Sequence, residues 1–167
     1  ILELSINKNV ISILKLVGKI GEDEGLEVYA VGGIVRDLIM GVNLNDLDIM
    51  VVGDGIQFAR KVAKKLNIKK VVKFERFGTA LIPNDELQIE IASARFESYK
   101  HNSRKPSNII YADLNGDLVR RDFTINAMAI DIIPKNFGKL IDPFGGISDI
   151  ESKRIKTPLD ADKTFSE

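Results

Sequence analysis

The 167-residue sequence contains no cysteine, no tryptophan and a single histidine, His101. The lack of cysteine excludes a disulfide framework, a thiolate zinc site and a cysteine nucleophile. One histidine excludes a His-rich metal centre and makes any Ser-His-Asp triad depend on that residue. No apolar run approaches the ~20 residues that a membrane-spanning helix needs. The first residues, Ile1-Leu2-Glu3-Leu4, lack the basic region and cleavage site of a secretory leader. A cytoplasmic protein with no membrane partner is expected. Net charge is missing too, since 24 Lys+Arg balance 24 Asp+Glu. With 44% hydrophobic and 29% charged residues the composition is that of a globular domain, and the length suits a single core.

The zero balance conceals segregation. Between Arg60 and Arg76 eight basic residues meet one acid, Glu75, and Arg95, Lys100, Arg104 and Lys105 form a second basic cluster. Acids gather instead at Glu22-Asp23-Glu24 and around Asp46 and Asp48. The basic segments suit an anionic polymer and the acidic ones a cation, although a run such as 60–70 also reads as the solvated face of a helix.

Hydrophobic periodicity gives a mixed α/β reading. Ile6, Val10, Ile13, Leu14, Val17 and Ile20 recur at helical spacing, which predicts an amphipathic helix over 6–20. Leu26–Val31 reads as a strand closed by Gly32-Gly33, Ile34–Met40 as a helix stopped by Gly41, and Asp46–Val52 as a strand ending at Gly53. Ile56–Leu66 is a second amphipathic helix. Lys70–Phe74, Thr79–Ile82 and Leu87–Ala92 are short strands, the last two a hairpin across Pro83-Asn84-Asp85-Glu86. Residues 95–117 are polar and aperiodic, so a long functional loop is expected there. Arg121–Ala129 reads as a short helix, Lys139–Ile141 as a strand and Asp142–Gly146 as a turn.

Four segments carry candidate chemistry. Asp46 and Asp48 are two residues apart at a strand start, so their carboxylates share one face. Such a pair repels itself unless a cation lies between, and hard divalent ions such as Mg²⁺ take carboxylate oxygens while leaving positions open for phosphate. Two exposed loop carboxylates would look the same in sequence. Glu90 alternates with Ile89 and Ile91, and should its strand lie beside Asp46–Val52, three carboxylates converge as two-metal phosphoryl transfer requires. Gly32-Gly33 between a strand and a helix lets backbone N–H groups approach a phosphate, and Arg36 lies one turn on; a plain tight turn is the simpler reading. Arg120–Ala127 (RRDFTINA) sets Asp122 and Asn126 four apart, on one face if helical, where they can meet a ribose while an arginine meets phosphate. Neither G-x-G-x-x-G nor G-x-x-x-x-G-K-[ST] is present, which disfavours a dinucleotide fold and a P-loop.

Together, Gly32-Gly33-Ile34-Val35-Arg36-Asp37, Asn45-Asp46-Leu47-Asp48, Arg120–Ala127 and Asp142-Pro143-Phe144-Gly145-Gly146 resemble, in order and spacing, the head region of class II tRNA nucleotidyltransferases and bacterial poly(A) polymerases. The resemblance runs from about Val28 to Phe165. It implies an α/β (mixed α+β) polymerase-β-type nucleotidyltransferase fold, a small mixed sheet flanked by helices. It implies two Mg²⁺ ions held by Asp46, Asp48 and Glu90, with Glu90 beside the attacking 3′-hydroxyl. Gly32, Gly33 and Arg36 match the triphosphate segment, and Arg121, Asp122 and Asn126 the segment associated with the sugar. Arg95 is placed to reach a phosphate. Residues 96–112 match a flexible loop linked to the switch from C to A addition.

The implied reaction is transfer of CMP or AMP from CTP or ATP to an RNA 3′-hydroxyl, foremost that of tRNA, with release of pyrophosphate. The alternatives are a poly(A) polymerase and, outside catalysis, an RNA- or nucleotide-binding module. The family's nucleobase-reading helix begins where this chain stops, at Thr164-Phe165-Ser166-Glu167. The expected organisation is therefore an N-terminal helix (1–25), a head (26–155) and a lead into that helix (156–167), with poor activity and base selectivity for the head alone.

Overall fold

The computed structural model describes residues 8–40, 46–84, 87–99, 106–153 and 158. The elements run α1 (Lys8–Asp23), β1 (Val28–Val31), α2 (Gly33–Met40), β2 (Asp46–Val51), α3 (Gly55–Lys65), β3 (Val72–Phe74), β4 (Thr79–Ile82), β5 (Gln88–Ser93), β6 (Arg95–Tyr99), β7 (Pro106–Tyr111), α4 (Leu114–Val119), β8 (Ala129–Asp131), β9 (Lys139–Ile141) and α5 (Gly146–Glu151). Seven strands form one mixed sheet in the order β3-β4-β5-β2-β1-β8-β9, and β6 and β7 pair separately. Among the described residues β2 and β5 are the parallel pair; the other pairings are antiparallel.

Parallel neighbours need a crossover, and α3 supplies it, leaving the end of β2 and packing over β4 and β5. Asp54 caps α3, accepting from the N–H groups of Ile56 and Gln57 at 3.1 Å each. The other end closes when Asn67, at φ 55°, donates its N–H to the Lys64 carbonyl and Ile68 donates to that of Ala63. That left-handed turn, which asparagine tolerates, folds residues 68–71 back beside the helix.

Alternation along β2 decides what each face of the sheet does. Leu47, Ile49 and Val51 join Ile89 and Ile91 of β5 in the main core, against Val10, Leu14 and Val17 of α1 and Phe58 and Val62 of α3. Burial of one such side chain contributes roughly 1.5–3 kcal/mol, so this layer fixes the register. On the opposite face Met50 joins a smaller cluster with Tyr29, Val31, Ala94, Leu118 and Ala129. Asp46 and Asp48 share the face of Met50, beyond the edge of that cluster. Among the described residues no helix is long and apolar enough to cross a membrane.

Two expectations are overturned. The long loop over 95–117 is instead the β6–β7 hairpin followed by α4, with an irregular register at Ser98/Tyr99. The hairpin's β-forming residues, such as Ile109-Ile110-Tyr111, stand among polar ones, so no sustained alternation marks the ribbon in the sequence. The flexible-loop assignment for 96–112 therefore falls on a paired hairpin, of which 100–105 lie outside the described residues. The helix expected over Arg121–Ala129 is a turn, a single 3₁₀ turn at Thr124–Asn126 and strand β8. Asp122 accepts from the neighbouring Phe123 N–H at 2.7 Å, a local bond that competes with helical pairing. The helix lies earlier, where Asp113 caps it through the Gly116 N–H at 2.8 Å. The Gly41 stop lies outside the described residues, as does all of 157–167 except Pro158.

Candidate active site

The register of β2 against β5 sets Asp48 directly beside Glu90 and Asp46 beside Gln88. Partners in register on parallel strands point to the same side, so the three carboxylates share one face near the start of both strands. Asp46 and Glu90 are exposed and Asp48 half-buried. Burial, then the negative charge of Glu90, push the Asp48 carboxyl up to about 6; the Arg121 guanidinium opposes that rise and Asp46 adds to it.

Around this acidic edge the chain gathers cations and backbone. Gly32, at φ 69°, turns β1 into α2 in a conformation that favours glycine. A side chain there would meet Arg121 Nη1 at 3.3 Å and Asp48 Oδ2 at 3.7 Å. The turn is thus packed between the first carboxylates and the arginine of a segment about 90 residues later. Val35 and Arg36 donate their N–H groups to the Gly32 carbonyl at 3.1 and 3.4 Å, so the N–H groups of Gly33 and Ile34 are those that precede the helix's own bonds; Arg36 also sets its Nη2 3.3 Å from where a Gly33 Cβ would be. Arg36 donates Nε to Asp37 Oδ1 at 2.9 Å and Nη1 to Asn126 Oδ1 at 3.0 Å. Asn126 donates Nδ2 to Asp122 Oδ1 at 3.2 Å, so the four-residue spacing brings these two together without a helix. Arg95 opens β6 opposite Tyr111, and only its backbone is described.

Two positioning elements escape a reading of motifs. Asp117, 1% exposed, accepts from Arg121 Nε at 3.2 Å and Nη2 at 2.9 Å and from Arg120 Nη2 at 3.3 Å. The i, i+4 spacing of Asp117 and Arg121 was its only signal. Thr124 Oγ1 donates to Asp149 Oδ2 at 2.5 Å, and both residues are buried. Asp142 accepts from the N–H groups of Gly146 and Ile147 at 2.6 and 3.0 Å, which anchors the start of α5. The Asp142–Gly146 turn thus braces the segment that carries Asn126.

The donor set suits a hard divalent cation. Three carboxylates from two rigid strands share one face beside one nearby guanidinium, and burial, with Glu90 second, makes the ionised form of Asp48 costly in the absence of a cation. Among the described residues no three acidic or imidazole groups are drawn into a ready-made cage.

The model of the poly A polymerase head domain matches residues 28–156. The chain belongs to the poly A polymerase head domain family. This head domain is 42% identical over 147 residues to an A-adding tRNA nucleotidyltransferase of Geobacter sulfurreducens, covering 87% of the chain and 16% of that protein. It is 39% identical to the A-adding tRNA nucleotidyltransferase of Halalkalibacterium halodurans, covering 87% of the chain and 34% of the relative. The structure of an apo CCA-adding enzyme superimposes with a TM-score of 0.78 at 39% identity, over 92% of this chain and 34% of that one. A tRNA nucleotidyltransferase complexed with a primer tRNA and an incoming ATP analogue matches with a TM-score of 0.74 at 39% identity, over 86% and 39%. The head domain thus spans about a third of the length of these proteins, or less. Nucleotidyltransferases of this family generally use divalent metal ions.

Proposed function

We propose that this head domain is the catalytic part of an enzyme that transfers AMP or CMP from ATP or CTP to the 3′-hydroxyl of tRNA and releases pyrophosphate. The observation that carries the reading is the in-register pairing of Asp48 with Glu90, with Asp46 on the same face. Asp46 and Asp48 would hold two Mg²⁺ ions, with Glu90 a ligand of the one beside the 3′-hydroxyl. When bound, these ions supply an activated hydroxyl and neutralise the triphosphate. The chain's own residues do the positioning. The Gly32-Gly33 turn and the first N–H groups of α2 cradle triphosphate oxygens, Arg36 adds a charge-assisted bond, and Arg95 approaches a phosphate from β6. Asn126 and Asp122 face the ribose, and Arg121, aimed by Asp117, balances charge beside Asp48. Catalysis is then chiefly orientation and electrostatics, as in phosphoryl transfer generally. The reading places the protein in the cytoplasm.

The test is incorporation of labelled ATP and CTP into a tRNA transcript by the full-length protein. Asp46→Ala or Asp48→Ala abolishes it; near-wild-type incorporation in either refutes the assignment. Transcripts lacking CCA and transcripts ending in CC separate CCA addition from A addition alone, and a product that runs on past one A identifies a poly(A) polymerase. If Mg²⁺-ATP binds an Asp46/Asp48 double variant as tightly as wild type, the chain is a metal-free binding module.

A further inference from the structure

The basic run between Arg60 and Arg76 has no part in the site above, and the fold puts it on the other side of the molecule. Helix α3 covers the sheet face of Leu47 and Ile49, whereas Asp46, Asp48 and Glu90 face the opposite way. The turn at Asn67 folds the following segment back, so that Arg60, Lys64 and Lys69 wall one concavity of about 390 Å³ with the apolar side chains of Ala63, Ile68 and Val71. Lys61 is tied to Glu24. Among the described residues none of Arg60, Lys64, Lys69, Lys70 and Lys73 has an acidic partner within salt-bridge distance. The strip continues onto β3, the edge strand, where Lys73 pairs with the core residue Ala80 and so shares the α3 side of the sheet, whereas Phe74, 46% exposed, pairs with Thr79 and belongs to the other face.

Ordinary structural roles account for only part of this. Lys64 complements the negative end of the α3 dipole, and an edge lysine discourages strand pairing. Neither explains cations beyond the helix end, gathered round a concavity with no counter-charge among the described residues. Cations gathered along a groove, able to follow a phosphodiester chain, are the backbone-tracking component of a single-strand nucleic-acid surface.

We propose that the α3–β3 strip is a second RNA-binding surface, which holds phosphates of the RNA substrate away from its reacting 3′ end. The proposal deepens the function given above, since it assigns the same substrate a second contact. A membrane is the less suited occupant, because among the described residues the strip carries no broad exposed apolar face.

The test is fluorescence anisotropy of a labelled tRNA transcript with the full-length protein, across a salt series. Arg60→Ala/Lys64→Ala/Lys69→Ala/Lys70→Ala should weaken binding about tenfold or more near 0.1 M salt. It should reduce the slope of log K against log salt by roughly 3, near 0.7 for each lost phosphate contact. Replacing the three lysines by arginine should preserve both. Lys69→Glu/Lys70→Glu, confined to the segment after the helix, repeats the test should the quadruple variant fail to fold. Wild-type affinity and slope in the charge variants overturn the proposal, as does strip-dependent binding to anionic lipid vesicles without an effect on RNA. AMP incorporation at saturating tRNA should stay at the wild-type level in the strip variants. Loss of activity in Asp48→Ala beside unchanged RNA affinity in the strip variants would remove this surface and leave the catalytic reading standing.

Discussion

Arg36 and Asn126 are joined side chain to side chain at 3.0 Å, although 90 residues separate them. The bond ties the first helix after the glycine turn to the 3₁₀ turn before β8, and it leaves Arg36 held between Asn126 and Asp37. A guanidinium so fixed loses little freedom when it meets a phosphate.

Asn126→Ala removes that brace and its link to Asp122. A hydrogen bond to a charged group contributes about 1.5–3 kcal/mol, so KM for ATP should rise roughly tenfold or more. The melting temperature should fall as well, by less than that full value implies because Asn126 is only half-buried. Steady-state kinetics with the full-length protein checks the rise in KM; an unchanged KM would remove Asn126 from nucleotide binding.

Asp48 predicts a pH-dependent stability of unusual sign. Its carboxyl lies at about 6 in the folded chain against an ordinary 3.8. The folded state therefore binds this proton more tightly than the unfolded state. The associated stability is fully present below about pH 4, falls as pH rises, and is lost above about pH 6. Asp48→Asn should thus raise the urea midpoint of the metal-free protein at pH 7.5, change it little near pH 4, and abolish nucleotide transfer. A variant less stable than wild type at pH 7.5 would contradict the electrostatic account.

Magnesium should relieve the same repulsion. Millimolar Mg²⁺ is expected to raise the melting temperature at pH 7.5, where Asp48 is ionised, and to do less near pH 5, where protons compete. Chelator should reverse the effect, and Asp46→Asn/Asp48→Asn should erase it. Equal shifts in wild type and double variant would place the ion elsewhere.

Gly146→Ala tests the brace beneath Asn126. Its new methyl would lie 2.4 Å from the Thr124 carbonyl oxygen and 2.9 Å from Met128 Sδ, so one of the two segments must move. Overpacking of this kind costs about 1–3 kcal/mol. Chemical denaturation should register that loss, with a raised KM for ATP as the site shifts. Asp149→Asn, which keeps the size and weakens the bond to Thr124, should move both readouts the same way by less.

Local pattern alone set several features. The helical spacing of Val10, Leu14, Val17 and Ile20 determined α1, and the alternation of Asp46, Leu47, Asp48 and Ile49 determined which side chains of β2 face the core. Those signals are legible because burial on one face writes a period into the residues. The β6–β7 ribbon wrote no such period, and the turn at 121–126 followed local side-chain bonds that outcompete helix, so neither was legible. Tertiary structure alone decided that β5 lies parallel to β2 in a register pairing Glu90 with Asp48, that Arg36 meets Asn126, and that Asp117 aims Arg121. Each depends on segments far apart in the chain, whose approach is fixed by how the two cores pack across the sheet. A sequence lists the groups that can interact; the packing of α1 and α3 against one face selects which of them meet on the other.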